Sequence, residues 1–179
     1  MNVEDSNKLY LDLAEKIKDD KIREVTKIAI CNLPSYFWIV SSSSSNKYHP
    51  IFSNGDGGLV RHSCYCTEIA LDLFNIIELT QFEQDIIVSA LLLHDCLKQG
   101  LSGVGKHTVK DHSLIARDFL DRLWEEFNGK KEILGAIASH NGKWNDNGKL
   151  PIPVTKIEKI VFWCDYLSSR KTTEKYYKD

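Results

Sequence analysis

A chain of 179 residues with 42% hydrophobic and 27% charged side chains has the make-up of an ordinary soluble globular protein, long enough to bury a sizeable core. A formal net charge of −2 and a pI near 6.3 argue against a dedicated nucleic-acid groove. The polar start MNVEDSNKLY is no signal peptide, and no apolar run approaches the roughly 20 residues of a membrane span. The expectation is a cytoplasmic protein, with residues 1–179 forming one domain.

In chain order, residues 6–19 and 21–31 read as helices, with Leu9, Leu13 and Ile17, then Val25, Ile28 and Ala29, on apolar faces. Pro34 stops them, and the aromatic and β-branched run Tyr36 to Val40 suggests a short extended piece. SSSSSNKYHP (41–50) is a loop by composition, and the turn cluster NGDGG (54–58) leads into a helix over about 60–79. Thr80 is a suitable cap for a helix over about 82–97. The Gly-rich QGLSGVGKH precedes a helix over about 111–127, and another over about 130–140 stops at Asn141-Gly142. After the irregular WNDNGKLPIP, a last helix covers about 155–170. The fold class is all-α: a compact helical bundle with at most one small extended element.

Five cysteines, Cys31, Cys64, Cys66, Cys96 and Cys164, are odd in number and lack a CxxC spacing, so they read as reduced core residues. Most of the four tryptophans read as core; Trp144, in the loop after His140, could instead cover a nucleobase.

The six histidines carry more information. LLLHDCLKQG (91–100) closes an apolar run and then sets His94 beside Asp95, although an unpaired buried carboxylate costs several kcal/mol. His62 shares a stripe with Tyr65, Cys66, Ile69 and Leu73, and His94 follows Ile87, Ala90 and Leu91. His112 aligns with Ile115, Ala116 and Phe119; His140 follows Ile133, Ala136 and Ile137; Asp165 continues the line of Ile157 and Val161. Five helices thus each aim a ligand-type side chain along a core-facing stripe near a helix end.

Any one of them is by default a hydrogen-bonded core residue, but five on five helices suggest a metal site built across a bundle. His62, His94, Asp95 and Asp165 would hold one ion, and His112 and His140 a second, sharing Asp95. One ion, with His112 and His140 contacting phosphate directly, is the alternative. Imidazole-rich ligation favours Fe, Mn, Zn, Co or Ni over Mg or Ca. Two such ions roughly 3.5–4 Å apart would clamp a phosphoryl group and activate water.

The order His62, His94-Asp95, His112, His140, Asp165 resembles the HD-domain superfamily of metal-dependent phosphohydrolases, over roughly residues 55–170. GGLVRHS, LLLHDCLK, ASHNGKW and FWCDYLSSRK carry the likeness. FWIVSSSSSNKYHP followed by GDGGLVRHS is similar to a narrower group of small HD hydrolases from phages and Gram-positive bacteria. The resemblance implies a helical fold, one or two divalent transition metals per chain, and a small phosphorylated substrate, a nucleotide or related phosphoester. Where many members carry HDxGK this chain has Leu97 in place of glycine but keeps Lys98.

Asp95 and Lys98 are therefore expected to act in catalysis, Arg61 to neutralise phosphate, and His49, or else His107, to protonate the leaving oxygen. Ser44, Lys47, His107, Lys143, Trp144 and Arg170 are candidate substrate contacts. A di-iron oxygenase of the same fold, a non-catalytic nucleotide-binding module and a nuclease are the rival readings, and a homodimer is open.

Overall fold

The structure is a computed structural model that describes residues 3–43, 49–103, 107–144 and 148–172. Its α-helices are α1 (Val3–Ala14), α2 (Asp20–Cys31), α3 (Gly58–Leu73), α4 (Gln81–Leu93), α5 (His112–Leu123), α6 (Lys130–Ser139) and α7 (Lys156–Ser168), joined by short 3-10 turns. The described residues contain no strand, and none of their helices is long and apolar enough to cross a membrane.

α4 is the axis of the bundle, packing on α1, α2, α3, α6 and α7. From Ile86 to Leu93 every residue is buried, so the helix is apolar all round, as a central helix must be. Its polar groups are matched individually. Tyr10 donates to the Leu92 carbonyl at 2.7 Å, and Thr26 and Ser89 pair at 2.7 Å. Asp85 accepts the backbone N–H groups of Lys18 and Asp19 at 3.0 and 2.8 Å and the Gln81 amide at 2.9 Å, tying the start of α2 to α4.

Reciprocal capping boxes at Thr80/Glu83 and Thr155/Glu158 fix where α4 and α7 begin. At the far end of α4 the backbone tightens into i→i−3 bonds, Cys96 to Leu93, Lys98 to Asp95 and Gly100 to Leu97. The helix therefore ends at Leu93, earlier than its apolar pattern suggests. α3 likewise stops at Leu73. Asn141-Gly142 does end α6: the Pro151 carbonyl lies 1.8 Å from where a Gly142 Cβ would stand, so only glycine fits.

Three expectations need correction. Residues Ser35–Trp38 form a 3-10 turn, not an extended piece. β-propensity needs a partner strand, and here Phe37 and Trp38 instead pack edge-on with Tyr10, with ring centroids 5.1–5.7 Å apart. Cys31 is exposed, while the other four cysteines are buried, and all five are free thiols. Trp38 and Trp124 are core, but Trp163 is half exposed on the outer side of α7.

Candidate metal centre

The ends of five helices meet at one buried cluster. His62 comes from the first turns of α3, His94 and His140 cap the C-termini of α4 and α6, His112 opens α5, and Asp165 lies near the end of α7. Asp95, just past α4, stands at its centre and is 1% exposed.

The two oxygens of Asp95 face different neighbours. Oδ2 lies 3.6 Å from His62 Nε2 and 3.5 Å from His94 Nε2, and it also meets the Lys98 ammonium. Asp165 Oδ1 joins this side, 3.0 Å from His62 Nε2 and 3.7 Å from His94 Nε2. Oδ1 of Asp95 faces His112 Nε2 at 3.0 Å and His140 Nε2 at 3.5 Å, and those two nitrogens are 3.2 Å apart. One carboxylate thus divides the six candidate ligands into two groups.

The protons on the rings are accounted for from behind. Nδ1 of His94, His112 and His140 each lies 2.7 Å from the carbonyl three residues earlier, of Leu91, Val109 and Ile137. A carbonyl only accepts, so each Nδ1 carries the hydrogen and each neutral ring presents Nε2 as a lone pair. His62 reaches the same state through Ser168. The Ser168 hydroxyl donates to the Asp165 carbonyl at 2.8 Å, so at 3.1 Å it accepts from His62 Nδ1.

Four lone pairs and two carboxylates facing one another repel. His94 Nε2 and Asp95 Oδ1 are moreover buried without a hydrogen-bond partner. Orphaned acceptors of this kind are costly, and a cation between them removes the cost. The donor set therefore fits a divalent metal. Imidazole ligands held by carbonyls from behind are the usual outer-shell arrangement of metal-binding histidines.

The electrostatics agree. Burial alone would raise the Asp95 carboxyl, but the Lys98 ammonium and His94 beside it hold it well below the ordinary range. Asp165 is likewise held well below its ordinary value against burial, by His62 and His94. Burial pushes His62 and His140 down, toward the neutral state a metal needs. His94 goes the other way. Burial would lower it, but Asp95 and Asp165 outweigh burial and raise it, so without metal it is the ring that most readily takes a proton.

The remaining candidates divide. His49 stacks edge-on against His62 with ring centroids 5.1 Å apart, which brings it to the cluster. Burial, with His62 and Lys98 nearby, pushes it down to about 3, so at neutral pH it is an uncharged ring and not an imidazolium poised to protonate a leaving oxygen. Arg61 is engaged elsewhere: its guanidinium donates to the carbonyls of Phe52, Asp56 and Asn54 and ties down the loop before α3. That corrects its expected role as a phosphate ligand.

His107 and Lys143 are exposed, and no hydrogen bond or ion pair among the described residues brings either to the cluster. Arg170 lies over the Tyr166 ring at 4.5 Å and donates to Ser169. Ser44, Lys47 and the side chain of Trp144 fall outside the described residues.

Sequence reasoning missed two neighbours. Ser168 stands three residues after Asp165, one turn on along α7, a spacing that could have marked it. Cys66, one turn after His62, puts its thiol 3.0 Å from Ser168 Oγ and within ligand range of His62, His94 and Asp165. Burial raises that thiol well above its ordinary value.

An all-helical protein with a carboxylate shared between two histidine groups at one end of its bundle defines a class of metal-centred proteins. The HD domain model matches residues 59–170, more than half of the chain, and the chain belongs to that family. Among curated proteins, the dihydroneopterin 2',3'-cyclic phosphate phosphodiesterase of Methanocaldococcus jannaschii is 27% identical over 172 residues, spanning 88% of this chain and 67% of that protein. No solved structure matches.

Proposed function

We propose that this chain, acting as one HD-type domain, is a metal-dependent phosphohydrolase for a nucleotide or a related small phosphoester. One observation carries the reading. Asp95 is fully buried, one of its oxygens has no hydrogen bond, and each oxygen faces its own pair of imidazole Nε2 atoms. A structural aspartate would be satisfied by N–H donors. The family and the phosphodiesterase relative supply the reaction class.

In this reading His62, His94, Asp95 and Asp165 hold one divalent transition metal, and His112 and His140 hold a second that shares Asp95. When bound, such ions polarise a phosphoryl oxygen and supply nucleophilic water near neutral pH. The protein residues do the rest. The carbonyls of Leu91, Val109 and Ile137 and the Ser168 hydroxyl keep the imidazoles aimed. Asp95 keeps its negative charge throughout. Lys98, 11% exposed and paired with Asp95 Oδ2, would with a cation on that carboxylate be free to meet the phosphate, where its ammonium would offset the charge that grows as phosphorus is attacked.

The test is elemental analysis of purified protein beside a His94→Ala/Asp95→Ala double variant, with a phosphate-release screen over a nucleotide panel on the same samples. About two metals per chain, lost in the variant together with turnover, is the expected result. Folded wild-type protein that takes up no Mn, Fe or Co on reconstitution would overturn the reading.

A further inference from the structure

The loop before α3 closes on itself in a way that the metal centre does not require. Ser42 and Ser53 are both fully buried. The Ser53 carbonyl accepts twice from Ser42, from its backbone N–H at 3.1 Å and from its hydroxyl at 2.7 Å. Ser53 in turn donates its own N–H and hydroxyl to the Pro50 carbonyl at 3.1 and 3.0 Å. Backbone bonds from Gly57 to Ile39 and from Leu59 to Val40 anchor this base to α3, the helix that carries His62. At Gly58 a Cβ would stand 2.2 Å from the Ser53 carbonyl oxygen, so the close approach requires glycine.

This base fixes one proton. The Ser42 hydroxyl has a single hydrogen, and the Ser53 carbonyl takes it. Toward His49, whose Nδ1 lies 3.1 Å away, Ser42 is then an acceptor. Nδ1 of His49 must carry the ring hydrogen, and Nε2, on the opposite edge of the ring, has none. The ring itself packs edge-on against His62, at the rim of the first ligand group.

A histidine meant to grip phosphate would present N–H to it, because phosphate oxygens only accept. This one is held in the other tautomer, as an acceptor beside a site for anions. We propose that Ser42 and His49 form a hydroxyl-recognition element. His49 Nε2 accepts a hydrogen bond from a substrate O–H close to phosphorus, so the substrate is a hydroxylated phosphoester of the ribonucleotide or sugar-phosphate kind, chosen over its deoxy counterpart. This rests on the phosphohydrolase reading for the site and adds to it the part of the substrate that His49 reads.

The experiment uses the full chain loaded with zinc. Nitrogen-15 NMR of the histidine rings reads the tautomer, in wild type and in Ser42→Ala. Steady-state kinetics then compare adenosine 3'-monophosphate with its 2'-deoxy analogue and adenosine 5'-monophosphate with its 2'-deoxy and 3'-deoxy analogues, in wild type and in His49→Ala, with calorimetric binding of the same compounds.

Expected are an unprotonated His49 Nε2 in wild type, a mixed tautomer in Ser42→Ala, and about a tenfold preference in kcat/KM or affinity for a hydroxylated compound, the scale of one hydrogen bond to substrate. His49→Ala abolishes that preference while zinc content stays at the wild-type level.

A protonated Nε2 in wild type overturns the proposal even if turnover is robust. So does equal use of hydroxylated and deoxy compounds, or a preference that survives His49→Ala. An equal loss of kcat on every compound in His49→Ala would mean that His49 serves the attacking water, and it overturns substrate recognition too. Zinc-loaded protein with the expected tautomer that neither binds nor turns over any of these compounds would overturn the substrate assignment. Failure of the phosphohydrolase reading itself is seen separately, as absence of metal uptake.

Discussion

Asp85 and Asp95 are both buried aspartates of the same central helix, one in its first turns and one just past its last. Asp85 receives three N–H donors, two of them from the backbone at the start of α2. Asp95 receives the Lys98 ammonium on one oxygen, while the other has no hydrogen bond and faces two imidazole nitrogens. The same residue type at similar burial therefore does two jobs, and the donors around it tell which. Where N–H groups converge, the carboxylate is holding the fold together. Where lone pairs converge, the carboxylate is suited to a cation.

The comparison breaks most sharply under substitution. Asp95→Ala should lose bound metal and lower phosphate release by about 10³-fold, read by elemental analysis and turnover. The stability of its metal-free form should fall by less than in Asp85→Ala, because the charged partners it leaves can relax. Lys98 can swing to solvent, and His94 can give up its proton.

Asp85→Ala should do the reverse. Backbone N–H groups of Lys18 and Asp19 cannot shed their need for an acceptor, so chemical denaturation should show a loss of about 2–3 kcal/mol, with metal content retained. A metal-free Asp95→Ala protein less stable than Asp85→Ala would remove the distinction.

Acidity sharpens the contrast further. Asp95 and Asp165 are held below their ordinary values, so the stability their charges contribute is complete above the unfolded carboxyl range near pH 4 and fades only as pH falls through the depressed values. His94 is raised in the metal-free protein, so its contribution is complete below about pH 6.5 and is lost as pH rises through its higher folded value. Metal must displace that proton. Affinity should climb by up to about tenfold per pH unit until His94 is neutral, and zinc binding should release a proton in that window. Calorimetry of zinc binding in two buffers of different ionisation heat measures the release. Zero protons released near pH 6.5 would contradict the raised His94.

Much of this was legible in the sequence because it depended on period and on residue type. The stripes that carry His62, His94, His112, His140 and Asp165 meet in space as their 3.6-residue spacing suggests, and Thr80 caps α4 as expected. What was not legible depended on partners distant in the chain. Phe37 and Trp38 look like strand residues until Tyr10 is seen to pack on them. Arg61 looks free for phosphate until three loop carbonyls claim it. His49 looks like an acid until its burial beside His62 and Lys98 is known. Spacing can state that a side chain turns inward. It does not state which atom of that side chain carries a hydrogen.

That last distinction yields the smallest predicted effect. His94, His112 and His140 are aimed by backbone carbonyls, which no substitution removes, whereas His62 is aimed by side chains, the Ser168 hydroxyl at 3.1 Å and, more distantly, the Cys66 thiol at 3.9 Å. Ser168→Ala deletes the nearer partner of Nδ1 and leaves His62 free to move its hydrogen to Nε2, the atom that faces Asp165 at 3.0 Å. In the metal-free protein that shift is favourable, since Nε2–H could then donate to the carboxylate, and metal binding must reverse it. Zinc affinity measured by competition with a chelator should fall about tenfold, the lower end of what loss of an outer-shell partner costs. Ser168→Thr, which keeps the hydroxyl, should recover most of it. An unchanged affinity in Ser168→Ala would mean that the Asp165 carboxylate and the metal set the His62 tautomer unaided, and the hydroxyl behind the ring would then be packing rather than aim.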